Sequence, residues 1–354
     1  MVSNSYVLKE KLHKNRNKML IFGLLISLVT VFCVLFFVSK GQAELSFSEV
    51  YRVIIGKLMN QPHLFSHIKP YKAAIVMDIR LPRIITALLV GFGLAIAGTV
   101  FQSLLMNPLA DPYTIGVSTG AAFGAVLAIY LNLYYVTTPV SITLFAFIGA
   151  LITLGLVLKI ATQKGVISTA NLVLAGIIVS SILSAGISFI KYASGEDVAA
   201  IVNWLMGSLA SRSWNHVMIA LPLILLGGLI CSFFGSDLNA ISLGERQARS
   251  LGVDVLKVRR ILLVAAALIT AVCVSVSGII GFVGLVIPHL LRHGLSTDNR
   301  YLIPLSGLTG GLLLLIADNI SRLMFVVEVP VGVMMTLIGG PFFISIFIKR
   351  NQTM

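Results

Sequence analysis

Apolar residues run through this chain in blocks long enough to cross a bilayer, and short polar stretches between them carry most of the charge. A membrane-spanning helix needs about 17 to 25 predominantly apolar residues. Such runs fall near 19–38, 83–103, 113–133, 139–158, 170–190, 214–234, 260–277, 302–321 and 331–348, and a shorter one at 279–294 is interrupted by Pro288. Together they predict an all-α, polytopic membrane protein of ten transmembrane helices, with both ends of the chain on one side. The first run follows basic residues, as a signal peptide would. It is longer than a signal core of about 7 to 15 residues, and no A-x-A-like site closes it, so it is read as a retained span.

The connections are patterned too. One transmembrane domain over 1–354 is expected, with a cytoplasmic tail at 1–18, an external segment at 39–79 and a cytoplasmic loop at 236–259. Within the external segment, Leu45 to Ile54 carries Ser46 three residues before Glu49, the signature of a capped amphipathic helix. Ala199 to Gly207 reads as a short helix at the outer interface, with Trp204 as an interfacial aromatic. In the long loop, Ser242 to Gly252 reads as a short helix bounded by Gly244 and Gly252, long enough to protrude and be gripped by a soluble partner.

The stretch from Arg80 to Pro112 is the most informative. It joins a doubly basic, proline-marked entrance to a helix rich in small residues (Gly91, Gly93, Ala95, Ala97, Gly98) and ends in the turn Asn107-Pro108-Leu109-Ala110-Asp111-Pro112. Small residues let backbones approach where lipid supplies no hydrophobic drive for association. The prolines forbid helix continuation. A second proline-interrupted segment, Gly281 to His289, lies in the other half, and paired broken helices are the trace an inverted repeat around a central pathway leaves in sequence.

Charge sets the orientation. Lys9, Lys11, Lys14, Arg16 and Lys18 precede the first span, and Arg246, Arg249, Lys257, Arg259 and Arg260 fall in the long loop. Lys159, Lys164, Arg292, Arg300, Lys349 and Arg350 share that face, whereas Glu44, Glu49, Glu196, Asp197 and Glu328 lie opposite. The positive-inside rule puts both termini in the cytoplasm of a multi-pass cell-membrane protein. Topology thereby accounts for most of the net charge of +13, leaving no case for nucleic-acid binding. With 57% apolar and 11% charged residues and a mean hydropathy of +0.99, an ordinary soluble domain is excluded.

Chemistry inside the spans is sparse. Asp318 is the single acid well inside one, and Arg322 four residues on predicts a structural ion pair on one helix face. An ion-coupled secondary transporter would need more buried titratable groups, and is the alternative of a different class. His289 reads as a polar packing residue. Cys33, Cys231 and Cys273 each sit alone in an apolar run, so no disulfide or metal spacing exists. No phosphate-binding loop, metal cluster or nucleophile with its base is present, so the chain is not an enzyme in its own right and any uphill transport must draw energy from a partner.

Seven motifs in order carry a resemblance: R-L-P-R (80–83), N-P-L-A-D-P (107–112), W-L-M-G-S-L (204–209), L-G-x-x-x-A-R-x-L-G (243–252), G-F-V-G-L-V-I-P-H (281–289), A-D-N-I-S-R (317–322) and E-V-P-V-G-V (328–333). From about residue 45 onward the chain resembles FecCD-type permeases, the membrane subunits of ATP-binding-cassette (ABC) importers for iron-siderophore complexes, haem and vitamin B12. The resemblance implies the type II importer fold, a homodimer around a central pathway, two ATPase subunits below and a substrate-binding protein outside. ATP and Mg would sit on the ATPase, so no cofactor is expected on this chain. The ATPase-coupling role falls on Leu243, Gly244, Glu245, Arg246, Ala248, Arg249, Leu251 and Gly252. Arg80, Arg83 and Arg322 match positions that meet acidic residues of the binding protein, and the cytoplasmic gate falls on Asn107, Leu109 and Thr169. Ala170 replaces a polar residue beside that gate threonine. Iron-siderophore is the first expectation for cargo, with haem or cobalamin as the alternative.

Overall fold

The computed structural model describes the backbone of residues 2–41, 43, 45–163 and 166–352, and the side chains from Arg16 onward apart from Gln163, Val166, Phe347 and a few residues near the C-terminus. Glu44 and Lys164, and the side chains of Lys9, Lys11, Lys14, Lys349 and Arg350, lie outside that description. Among the described residues fifteen α-helices follow one another. α1 (Val2–Ser39) precedes α2 (Phe47–Leu58) and α3 (Pro70–Ala74), and a π-helical turn at Ile75–Arg80 carries α3 without a break into α4 (Leu81–Leu104). α5 (Val117–Tyr134) and α6 (Ile142–Ala161) lead to a two-residue antiparallel ribbon, β1 (Thr162–Gln163) with β2 (Val166–Ile167), and then to α7 (Thr169–Ala193) and α8 (Val198–Leu205). The remainder is α9 (Trp214–Phe233), α10 (Gly235–Ser242), α11 (Glu245–Ser250), α12 (Val255–Ser277), α13 (Val283–Gly294), α14 (Asn299–Leu323) and α15 (Val331–Gln352).

Eight of these helices are long and apolar enough to cross a membrane. With α13 and α15 they make the ten expected from the hydropathy pattern. Two local expectations also hold. Ser46 and Glu49 form both arms of a capping box at the start of α2, and the short helix expected around Trp204 forms as α8.

Burial sorts the helices into a centre and a rim. α1 leaves Leu20, Leu24, Leu28 and Phe32 exposed, and α7 does the same with Leu174, Ile178 and Ile182. Large apolar side chains bare on that scale belong in lipid or against another subunit, not in water. α4, α12 and α14 are mostly buried and form the centre. Glycines set the closest approaches there: a Cβ on Gly91 would strike the Gly310 carbonyl of α14, and one on Gly98 would strike the Gly284 backbone of α13.

The helix holding the outer arginines is longer than a span requires. Pro70 to Leu104 is 35 residues, about 52 Å of helix against a hydrocarbon core of about 30 Å. Its first turns must therefore stand outside the bilayer. α13 is the opposite case, with 12 residues or about 18 Å, too short to cross alone. The chain enters it through residues in no helix, and a broken helix at membrane depth needs its freed backbone groups satisfied by protein. Tyr113 does this, its hydroxyl donating to the Ile280 carbonyl at 2.6 Å and accepting from the Ile280 N–H at 3.2 Å.

Candidate functional site

The expected site residues fall into two groups at the two ends of the antiparallel pair α4 and α14. At the end expected to face outward, the three arginines line one cleft of about 370 Å³ together with Gly41, Phe325 and Glu328. Arg83 is 8% exposed and grips Asp318 with two arms, Nε to Oδ2 at 2.8 Å and Nη2 to Oδ1 at 2.7 Å, and its Nη2 also donates to Glu328 Oε1. Arg80, 4% exposed, donates to the carbonyls of Val38 and Ala43 at 2.7 and 2.8 Å. These bonds tie the exit of α1 to the head of α4.

The pairing expected between Asp318 and Arg322 does not form. Arg322 Nη2 donates instead to Asn319 Oδ1 at 2.7 Å and to the carbonyls of Phe37 and Lys40 at 3.2 and 3.1 Å. The reason is geometric. Asp318 is buried and points into the helix bundle, toward α4, where a planar guanidinium can meet both carboxylate oxygens in parallel. All three cleft arginines are hydrogen-bonded, and Arg322 is the half-buried one, so the cleft presents one partly exposed cation backed by two buried ones.

At the other end, the two proline-broken segments meet. Gln102, in the last turn of α4, donates to the carbonyls of Gly284 and Leu285 at 3.0 and 3.3 Å. Arg292 of α13 reaches back to Ser103 Oγ at 2.6 Å, Gln102 Oε1 at 3.2 Å and the Thr99 carbonyl at 3.3 Å. Ser103 donates to Asn299 Oδ1 at 2.9 Å, and Asn299 donates in turn to Asn239 of α10. Arg292 had been legible only as a topological charge; here it ties α13 to the end of α4. This cluster lines a cavity of about 300 Å³ with Asn107 and Pro108 at its edge.

The residues expected at the gate lie on the proline turn and at the head of α7. Asn107 and Leu109 are exposed on the proline turn, and Asn107 Oδ1 accepts the Leu109 N–H at 3.0 Å, the local bond that fits asparagine to turns. Asp111 accepts the Tyr113 N–H at 3.0 Å. Burial pushes its carboxyl up to about 7, against the opposing effect of that backbone bond. Thr169 is the first residue of α7. α7 packs on the turn after Pro112 at Gly176, where an added Cβ would come within 2.5 Å of the Thr114 carbonyl.

The glycine-bounded loop forms as expected, with one addition. α10, eight residues directly after α9, leads into α11 through Gly244 at φ 113°. That is a backbone conformation side chains resist. Gly252 ends the element at φ 84°. Ala248 is fully buried against the body of the protein, whereas Leu243 and Leu251 are 67% and 66% exposed and Arg246 and Arg249 project outward. Glu245 accepts from Arg259 of α12 at 2.6 Å. Two bare leucines flanked by two cations make a protruding surface of mixed character, the composition of an interface core with a polar rim. Among the described residues no group of His, Cys, Asp and Glu is placed to hold a metal ion.

The family model for FecCD transport proteins matches residues 12–349. The chain belongs to the FecCD transport family. Among relatives of this FecCD protein, an uncharacterized ABC transporter permease of Bacillus subtilis, YvrB, is 43% identical over 286 residues, 80% of this chain and 81% of the relative. The cobalamin import system permease BtuC of Halobacterium salinarum is 43% identical over 277 residues, 78% of this chain and 74% of that protein. A solved structure described as an inward-facing conformation of an ABC transporter of the metal-chelate type superposes with a TM-score of 0.79 at 32% identity, covering 92% of this chain and 98% of that one. This FecCD protein is therefore an integral membrane permease of the ABC-importer class.

Proposed function

We propose that this chain carries a metal chelate, iron-siderophore complexes first, from an external binding protein into the cytoplasm by alternating access driven by a separate ATPase. Two copies enclose the pathway, two ATPase subunits grip α11 from the cytoplasm, and the binding protein sits on the outer cleft. Both termini lie on the cytoplasmic side with α11. The observation that carries this reading is that α4 and α14 run antiparallel from the cation-bearing cleft, where Arg83 meets Asp318, to the end where Ser103 meets Asn299, which in turn bonds to Asn239 of α10, the helix that leads into α11. An outer cation steers and orients an acidic docking partner more than it adds affinity. Arg322 serves that role directly, while Arg80 and Arg83 hold the cleft in shape or are released to a partner when it binds.

Cobalamin is the second reading for cargo, favoured by the likeness to the cobalamin permease. The ligand retained by the cognate binding protein decides between them. The coupling surface is tested with Arg249→Glu and Gly244→Val in the complete complex. Each is expected to reduce the ATPase that co-purifies, and uptake with it, by about tenfold or more, since one alters the rim charge and the other forces a strained backbone. Unchanged ATPase and unchanged uptake in both variants would remove the coupling assignment.

A further inference from the structure

Arg259 appears in the sequence as one basic residue among five in a cytoplasmic loop, indistinguishable from a solvated topological charge. In the fold it lies in the second turn of α12 and is 6% exposed. Its two arms reach different elements. Nη2 donates to Glu245 Oε1 at 2.6 Å, at the first residue of α11, and Nη1 donates to the Ile167 carbonyl at 3.2 Å. Ile167 is paired with Thr162 across the β1–β2 ribbon. It stands two residues before Thr169, and Ser168 between them caps α7 by accepting the Asn171 N–H.

A buried guanidinium tolerates loss of its carboxylate poorly, because the remaining charge is left without a partner in a low-dielectric setting. Arg259 therefore penalises any motion that separates α11 from the ribbon. Its Nε has no hydrogen-bond partner among the described residues, so nothing else fixes the guanidinium and its position is set by the two arms. Lysine could not replace it, since an ammonium is a point charge and the contact is a fork across two elements. The loop has a second link, from Asn239 of α10 through Asn299 to Ser103 at the end of α4. Arg259 is the link on the α7 side.

We propose that Arg259 is a positioning residue that ties α11 to the head of α7, so that displacement of the ATPase-facing loop is delivered to the cytoplasmic gate at Thr169. This rests on the reading of residues 243–252 as the surface the ATPase grips. The physical requirement is an element whose position both ends bias, and the two-armed guanidinium supplies it.

The test uses the complete complex of permease, ATPase and binding protein in vesicles and measures ATP hydrolysed per cargo taken up. Arg259→Met keeps the volume and removes both arms. The ATPase is expected to remain bound and ATP hydrolysis to stay within about twofold of the parent, while ATP consumed per cargo rises about tenfold or more, within the range of ordinary coupling energies. Arg259→Lys keeps the charge but not the fork and is expected to fall between the two. A parental ratio in Arg259→Met overturns the proposal, as does loss of the bound ATPase in that variant, which would make Arg259 part of the docking surface alone. Should Arg259→Met fail to fold, Arg259→Lys decides: a raised ratio supports the link and a parental one overturns it. Failure of the ATPase to co-purify with the unaltered chain is a different result, and sinks the reading of 243–252 instead.

Discussion

Asp318→Ala is expected to destabilise the chain in detergent by about 3 to 5 kcal/mol, the usual cost of removing one partner from a buried ion pair. The carboxylate is fully buried and receives both arms of Arg83, so alanine leaves a cation inside the bundle at the outer end of α4. Glu328 offsets part of this, since it also accepts from Arg83, but its side chain is 39% exposed and the bond is partly screened. The expected effect therefore lies toward the lower end of the range. The double variant Arg83→Met with Asp318→Leu removes both charges and should recover most of the loss, because replacing a whole buried pair by apolar residues is often neutral. Unfolding midpoints for the two single variants and the double variant make the check. An unchanged midpoint in Asp318→Ala would mean the pair contributes nothing.

Gly98→Val should be at least as damaging, at about 3 kcal/mol or more, because overpacking here cannot be relieved by a rotamer change. The atoms in the way are the carbonyl, carbon and Cα of Gly284, so α4 and α13 must separate. Separation also breaks the bonds from Gln102 and Arg292 that join these two broken segments. Loss of monodisperse protein on size exclusion is the expected result. Gly155→Ala is the control: it lies on α6 with open space where its Cβ would go, and a surface change of that kind stays within about 0.5 kcal/mol. Equal behaviour of the two variants would contradict the close-packed picture.

The span pattern was legible because a bilayer imposes a length and a polarity that few other contexts require. Most apolar runs find their helix within a few residues, as at Ile142–Ala161 and Asn299–Leu323, while α1 begins well before its run. The Ser46 and Glu49 cap was legible because both members lie within one turn. What sequence did not reveal depends on contacts between distant residues. Asp318 had Arg322 four residues away and Arg83 235 residues away, and helical spacing alone favours the near one. Arg259 was invisible for a related reason, since the positive-inside bias places cations in cytoplasmic loops whether they end up solvated or clamped. The outer helix was read as starting near Arg83, yet it begins at Pro70, because Lys69, Lys72 and Asp78 make its first turns polar and the apolar window misses them. The turn from Asn107 to Pro112 was half legible: its prolines foretold the break, while the hydroxyl of Tyr113 that satisfies the second break at Ile280 could not be inferred from spacing.

The central claim is that this chain is a conduit whose direction of opening is set by an ATPase bound at α11. The measurement is accumulation of a ferric chelate in sealed vesicles, with the purified chain reconstituted alone or together with its ATPase and binding protein. Accumulation against a gradient only when all three components and ATP are present is the predicted result. Accumulation by the chain alone, driven by an imposed proton gradient, would contradict it.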